Sequence, residues 1–224
     1  MSRAGSVALR FGVRRWAVAP AAAGSSLPPM LRRRLGPLGR AALDAALAAG
    51  YDGDVGQVFA SRYGELARSI ELVAEILRGD PSSPASFSLS VHNALAGLAS
   101  IACRNRQAHT AIAAGQDTLF AGLMEAAVQL AEAPERDVVL VYCDDPVPAA
   151  FQAPQAETAP VAIALRLFAA PEIELAREAR PDAADRPATD GPGPVGALVR
   201  FLEGRDRRLA GRGVSADWSL AHAA

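Results

Sequence analysis

Four residues, Ala114-Gly115-Gln116-Asp117, stand where chemistry would be expected. They separate an apolar run at 109–114 from a helical pattern at 116–131, so a strand hands over directly to a helix. The amino end of a helix favours negative charge developing beside it, and α/β enzymes often place a nucleophile at such a turn. The residue here is a glutamine. Its amide has no usable nucleophilicity and no acid or base function near neutral pH. Position alone reads it as a cap or first-turn residue. If the turn is a site, it does no covalent chemistry through Gln116.

The other reactive side chains are dispersed. Asp117 reads as a first-turn acid favoured by the helix dipole. Asp144-Asp145 follows the run DVVLVYC and is either half of a metal site or a solvated turn before Pro146. No third ligand accompanies it, and the turn is the expected reading. His92, His109 and His222 are scattered, and neither His92 nor His109 has an evident catalytic partner nearby in sequence. No Ser-His-Asp order, phosphate-binding glycine loop or zinc spacing is present, so neither metal nor cofactor is expected. Cys103 and Cys143 form no disulfide framework and are expected as reduced thiols in core elements.

The elements that would position these residues alternate. Residues 7–18 place Val7, Leu9, Phe11 and Val13 against Arg10 and Arg14, the period of a strand with one wet face. Residues 21–29 have linker composition. Residues 31–49 carry Leu31, Leu35, Leu38, Ala42 and Ala46 at helical spacing, broken at Gly36-Pro37. A short strand at 55–61 precedes the clearest helix, 65–78, with a stripe of Leu66, Ile70, Val73 and Leu77. Residues 89–104 predict a buried helix. The 109–114 strand and 116–131 helix follow, the latter with Leu119, Leu123, Ala127 and Leu130 inward. Residues 137–143 read as a strand covered on both faces. Residues 146–160 predict a loop, 161–168 a strand, and 195–209 a last helix before a tail with Trp218 and Leu220.

That order predicts an α/β fold, a mixed or parallel sheet sandwiched by helices, with its site at the carboxyl ends of the strands. The 224 residues suit one domain or slightly more, and half of them are apolar. A net charge of −1 gives no global attraction to nucleic acid or anionic membrane. No apolar run approaches the roughly 20 residues that span a bilayer, and Pro20 cuts short the stretch after Arg14-Arg15. A cytoplasmic protein is expected.

Residues 83–146 carry a resemblance. SPASFSLSVHNALAG contains a proline loop followed by Asn93-Ala94-Leu95-Ala96-Gly97. A strand then ends at a turn heading a buried helix, and an apolar strand closes on an acidic turn. Upstream, VFASRYGEL supplies a strand and glycine turn before the 65–78 helix, and LRRRLGPLGRAALDAALAA precedes that. In this order the chain resembles the N-terminal half of the β-ketoacyl synthases, condensing enzymes of the thiolase fold, over about residues 30–170. The resemblance puts Gln116 at the position of the nucleophilic cysteine. Glutamine there is carried by the chain length factors of type II polyketide synthases, inactive relatives that pair with an active synthase. The shorter pattern looks closest to the truncated synthase-like proteins of aryl polyene clusters.

The resemblance makes residues 1–170 the synthase-like N-terminal half; composition reads 171–194 as a flexible linker, and periodicity reads 195–224 as a C-terminal helix and tail. In the family a second half supplies two histidines that activate the malonyl unit, and this sequence stops short of them. It implies a non-catalytic, chain-length-factor-like subunit forming a heterodimer with a full-length β-ketoacyl synthase. Leu66, Ser69, Ile70 and Val73 would wall the tunnel for the growing chain, though ordinary core explains them equally well. The strand His109, Thr110, Ala111, Ile112 and Ala113 would pair across the dimer. Two alternatives stay open: a minimal acyl-thioester enzyme such as a malonyl decarboxylase using Gln116, and a subunit docking an acyl carrier protein through Arg32-Arg33-Arg34.

Overall fold

The computed structural model describes residues 7–19, 27–147, 161–179, 193–213 and 216–223. Its elements run β1 (Val7–Val18), α1 (Pro29–Arg34), α2 (Pro37–Ala48), β2 (Gly56–Ala60), α3 (Leu66–Arg78), α4 (Pro84–Ser88), α5 (Ala94–Cys103) and β3 (His109–Ile112). A 3₁₀ turn (Gly115–Asp117) leads into α6 (Thr118–Glu132), then β4 (Val138–Asp144), β5 (Val161–Ala179), α7 (Pro194–Leu202), β6 (Arg208–Arg212) and β7 (Ala216–His222).

The strands form one mixed seven-stranded sheet in the order β3-β2-β4-β5-β7-β6, with β1 paired to β5. β3, β2 and β4 are parallel, and β5 turns antiparallel to β4. The centre is β4, all seven residues of which are buried. Val138, Leu140 and Tyr142 face α6, while Val139, Val141 and Cys143 face α2 and α5. A continuous apolar run is what a strand covered on both faces requires. The expected sandwich is therefore present, with α2 and α5 on one face and α6 and α7 on the other.

Local signals set most element ends. Pro37 opens α2, and the expected break at Gly36-Pro37 divides α1 from α2. Gly79, at φ +76°, closes α3 in the left-handed conformation that glycine adopts without strain. The predicted inward residues of α6, Leu119, Leu123, Ala127 and Leu130, are all buried.

Three expectations are corrected. The helix predicted over 89–104 begins only at Ala94, after the separate turn of helix α4, and Ile101 on it is 78% exposed. Residues 171–179, expected as a flexible connection, are the second half of β5. Pro171 suggested a break, but Ile173 and Leu175 alternate with Glu172 and Glu174 and are buried. The proline is accommodated where the register between β1 and β5 jumps, from Gly12↔Phe168 to Phe11↔Ile173. The helix predicted over 195–209 ends at Leu202, and the chain after it forms the β6–β7 hairpin, with β7 paired to β5 from Ile173 to Ala179. Its period of two, with Ala216, Trp218 and Leu220 buried, is too short to stand out in sequence. The loop expected at 146–160 and the linker at 21–29 lie mostly outside the described residues, as do residues 180–192 of the connection.

Candidate functional site

β2, β3 and β4 end together. Ala60 is in register with Ile112 on one side and Tyr142 on the other, so the segments that follow each strand meet at one end of the sheet. Open parallel sheets place their sites at this carboxyl end.

The turn after β3 is built as its sequence suggests. Gly115 takes φ +57°, and the Thr118 hydroxyl ties the turn together. It accepts from the Ala114 amide at 3.0 Å and donates to the Gly115 carbonyl at 2.7 Å. Gln116 lies in the 3₁₀ turn and is exposed, whereas Asp117 is buried at the N-cap of α6. Gly213 presses against Asp117 so closely that a Cβ there would fall 2.0 Å from Asp117 Oδ1. The C-terminal hairpin thus braces the turn: Phe120, two residues into α6, stacks on Trp218 at 5.8 Å. The turn is held rigidly, yet the side chain it presents cannot attack.

The polar centre of this end is Asp144, which sequence reasoning placed on a solvated turn. It is only 4% exposed. Its Oδ1 accepts from the Ser61 hydroxyl at 3.0 Å and the Arg62 amide at 2.7 Å, and its Oδ2 accepts from the Tyr142 hydroxyl at 2.7 Å. The Ser61 hydroxyl in turn accepts from the Gly64 amide at 2.8 Å, and His92 Nε2 donates to the Ser61 carbonyl at 2.8 Å. These bonds tie the end of β4 to the turn before α3 and to the segment before α5. Burial, then the Asp144 charge, pushes the Tyr142 hydroxyl well above its ordinary range. Asp145 is raised to about 6, first by burial and then by Glu65 and Asp144. Burial also raises Glu65, the N-cap of α3, against the opposing pull of Arg68. The missed signal was Tyr142-x-Asp144, since residues two apart on a strand share a face.

The expected tunnel positions sit on α3, which contacts the rest of the molecule chiefly through α4. Leu66, Ser69 and Ile70 are half-buried, and Ser69 Oγ donates to the Glu65 carbonyl at 3.1 Å. Val73 is 56% exposed, and Leu77, further along the stripe, is 82% exposed; Leu72 is the buried residue of this helix. The stripe is therefore uncovered from Val73 onward. Seven of the eleven exposed large apolar side chains among the described residues lie between positions 63 and 101.

The expected interface strand is half-buried over His109, Thr110, Ala111 and Ile112, with Ala113 exposed. It terminates the sheet, pairing only with β2 among the described residues. The remaining histidine, His222, stacks on Phe201 at 4.4 Å. Among the described residues no helix is long and apolar enough to cross a membrane.

Comparison with known proteins agrees with this architecture. Residues 12–219 match the family model described as the N-terminal domain of β-ketoacyl synthase. No curated protein gives a match. Among solved structures, the chain is similar to one from a complex of the ketosynthase ApeO with its chain length factor ApeC from Xenorhabdus doucetiae. The TM-score is 0.77 at 23% identity, covering 95% of this chain and 99% of that one. It is also similar to a β-ketoacyl synthase from Burkholderia phymatum STM815, with a TM-score of 0.53 at 13% identity. That match covers 74% of this chain and 52% of that one, so the chain spans about half of that synthase. At such identities the likeness is one of fold. The family match takes in both the turn bearing Gln116 and the C-terminal hairpin that braces it, and the chain belongs to the β-ketoacyl synthase N-terminal domain family.

Proposed function

We propose that this chain is a non-catalytic, chain-length-factor-like subunit. It pairs with an active β-ketoacyl synthase during elongation of a polyene, polyketide or fatty-acid-type chain. The observation that carries this reading is the set of exposed apolar side chains between positions 63 and 101, together with β3, which pairs only with β2 among the described residues. Contiguous apolar surface on a folded chain marks a place where something binds, and an open strand edge invites another chain.

Gln116 supports the non-catalytic half of the proposal. The turn keeps the geometry suited to a nucleophile, and the side chain supplies none. The near-equal lengths of this chain and its match in the ketosynthase–chain length factor complex support the pairing half.

In this reading β3 and the adjoining Ala113 join the partner's sheet, and the α3 stripe faces the partner. Leu66, Ser69, Ile70 and Val73 then wall the tunnel into which the chain grows. The mechanism is steric: elongation stops when the chain end meets a wall, so bulk at these positions sets the limit without any chemistry.

Co-expression with a full-length, cysteine-bearing synthase tests the proposal. A stable complex is expected, with shorter products from Ile70→Trp or Val73→Trp. A chain that remains a well-behaved monomer at high concentration and captures no synthase overturns the pairing. Unchanged product length in an intact complex overturns the wall.

A further inference from the structure

At the opposite, amino end of the strands, α1, α2 and the end of α5 enclose an apolar cavity of about 220 Å³. Its walls include Leu31, Leu43, Ala46, Tyr51, Ala102 and Cys103. The Tyr51 hydroxyl is satisfied, donating to Gln57 in a buried network. In that network the Ser100 hydroxyl also donates to Gln57 Oε1, at 2.8 Å, and Gln57 Nε2 donates to the Gln107 carbonyl at 2.7 Å. The cavity interior is therefore suited to hydrocarbon. An apolar cavity of about 150 Å³ stays dry and takes up benzene, so this one has room for a longer alkyl group.

Cations adjoin these wall residues in sequence. Arg32, Arg33 and Arg34 follow Leu31 directly, and Arg104 and Arg106 follow Cys103. All five are exposed, and among the described residues none is ion-paired. Asp52, whose charge reaches Cys103, pairs with Arg166 at 3.0 Å, Asp54 accepts from Gln107, and Asp44 is buried on α2.

We infer that this cavity binds the alkyl chain of an anionic amphiphile, about six to eight carbons long by comparison with the benzene-sized case. The headgroup meets the arginines at the ends of α1 and α5. Charge at the rim selects the headgroup, while hydrocarbon burial supplies the affinity. The site is separate from the turn at Gln116 and stands whether or not the pairing above holds.

Cys103 is the built-in reporter, since it is half-buried in the cavity wall while Cys143 is sealed in the core. The test follows its modification by N-ethylmaleimide in the full chain. Octanoate is expected to slow the reaction about tenfold by closing access to the thiol. Octanol is expected to protect less and octylammonium not at all. Octyl phosphate in a parallel arm distinguishes a phosphorylated from a carboxylate ligand, the stronger protection naming the headgroup. Ala102→Phe fills the cavity from its exposed wall and abolishes protection. Arg32→Glu with Arg33→Glu, on an exposed helix that tolerates the change, weakens octanoate binding about threefold. Absence of protection by octanoate and octyl phosphate, or equal protection by octylammonium, overturns the inference.

Discussion

Helices α3 and α6 carry the same kind of sequence signal and meet opposite fates. Each has apolar residues at helical spacing on one face. The stripe of α6 is buried against β2 and β4, and Leu119, Leu123 and Leu130 are sealed from solvent. The stripe of α3 emerges from half-buried Leu66 to exposed Ile76 and Leu77, with no sheet beneath it. Amphipathicity records that a face is to be covered, and it does not record by what. One helix is covered by its own chain, and among the described residues the outer part of the other is left exposed.

That contrast makes quantitative demands. The largest effect is expected in the sealed layer. Leu140→Ala, in β4 beneath α6, removes a side chain buried on all sides and is expected to cost about 3 kcal/mol by chemical denaturation, with cavity formation adding to lost burial. Leu77→Ala on α3 is expected to change stability by less than about 0.5 kcal/mol. Comparable losses at the two sites would mean that α3 is packed after all.

Asp144→Ala comes next, because it would strand the Tyr142 hydroxyl, the Ser61 hydroxyl and the Arg62 amide. About 2 kcal/mol is expected. Native-state hydrogen exchange should show the segment from Ser61 to His92 opening before the sheet does. Simultaneous opening would remove the distinction between a rigid centre and a separately anchored arm.

A smaller effect is tied to pH at the root of that arm. The Asp145 carboxyl is raised from 3.8 to about 6 in the folded chain. Its ionisation therefore opposes folding, and the penalty is absent below the ordinary value and complete once pH exceeds about 6. Asp145→Asn is expected to gain stability relative to the parent as pH rises through this window, measured by thermal unfolding across it. A constant difference would place Asp145 in a more solvated setting. The smallest effect on the isolated chain is expected from Ile76→Lys with Leu77→Glu. Stability should be unchanged while capture of a synthase partner is lost, and retained capture would move the interface off α3.

Much of the frame was legible residue by residue. DVVLVYC announced a strand covered on both faces because every position is apolar, and Gly36-Pro37 announced the break between α1 and α2. The unusual residue at the turn, Gln116, was visible from the strand and helix patterns on either side. The Asp144 centre was not. Its partners Ser61 and Arg62 are distant in sequence, and only the parallel alignment of β2 with β4 brings them to it. The β6–β7 hairpin was missed because its alternation is short and its role, bracing Asp117 through Gly213, depends on the whole sheet.

Sequence by itself determined most of the strands and helices up to residue 168, which of their faces are apolar, and that the residue at the head of α6 cannot act as a nucleophile. These follow from local backbone preference and side-chain chemistry, which need no neighbours. Tertiary structure alone decided which apolar faces are covered, which acid is buried, and where a cavity remains. Those properties belong to pairs of segments far apart in the chain, and they exist only once the sheet has brought the segments together.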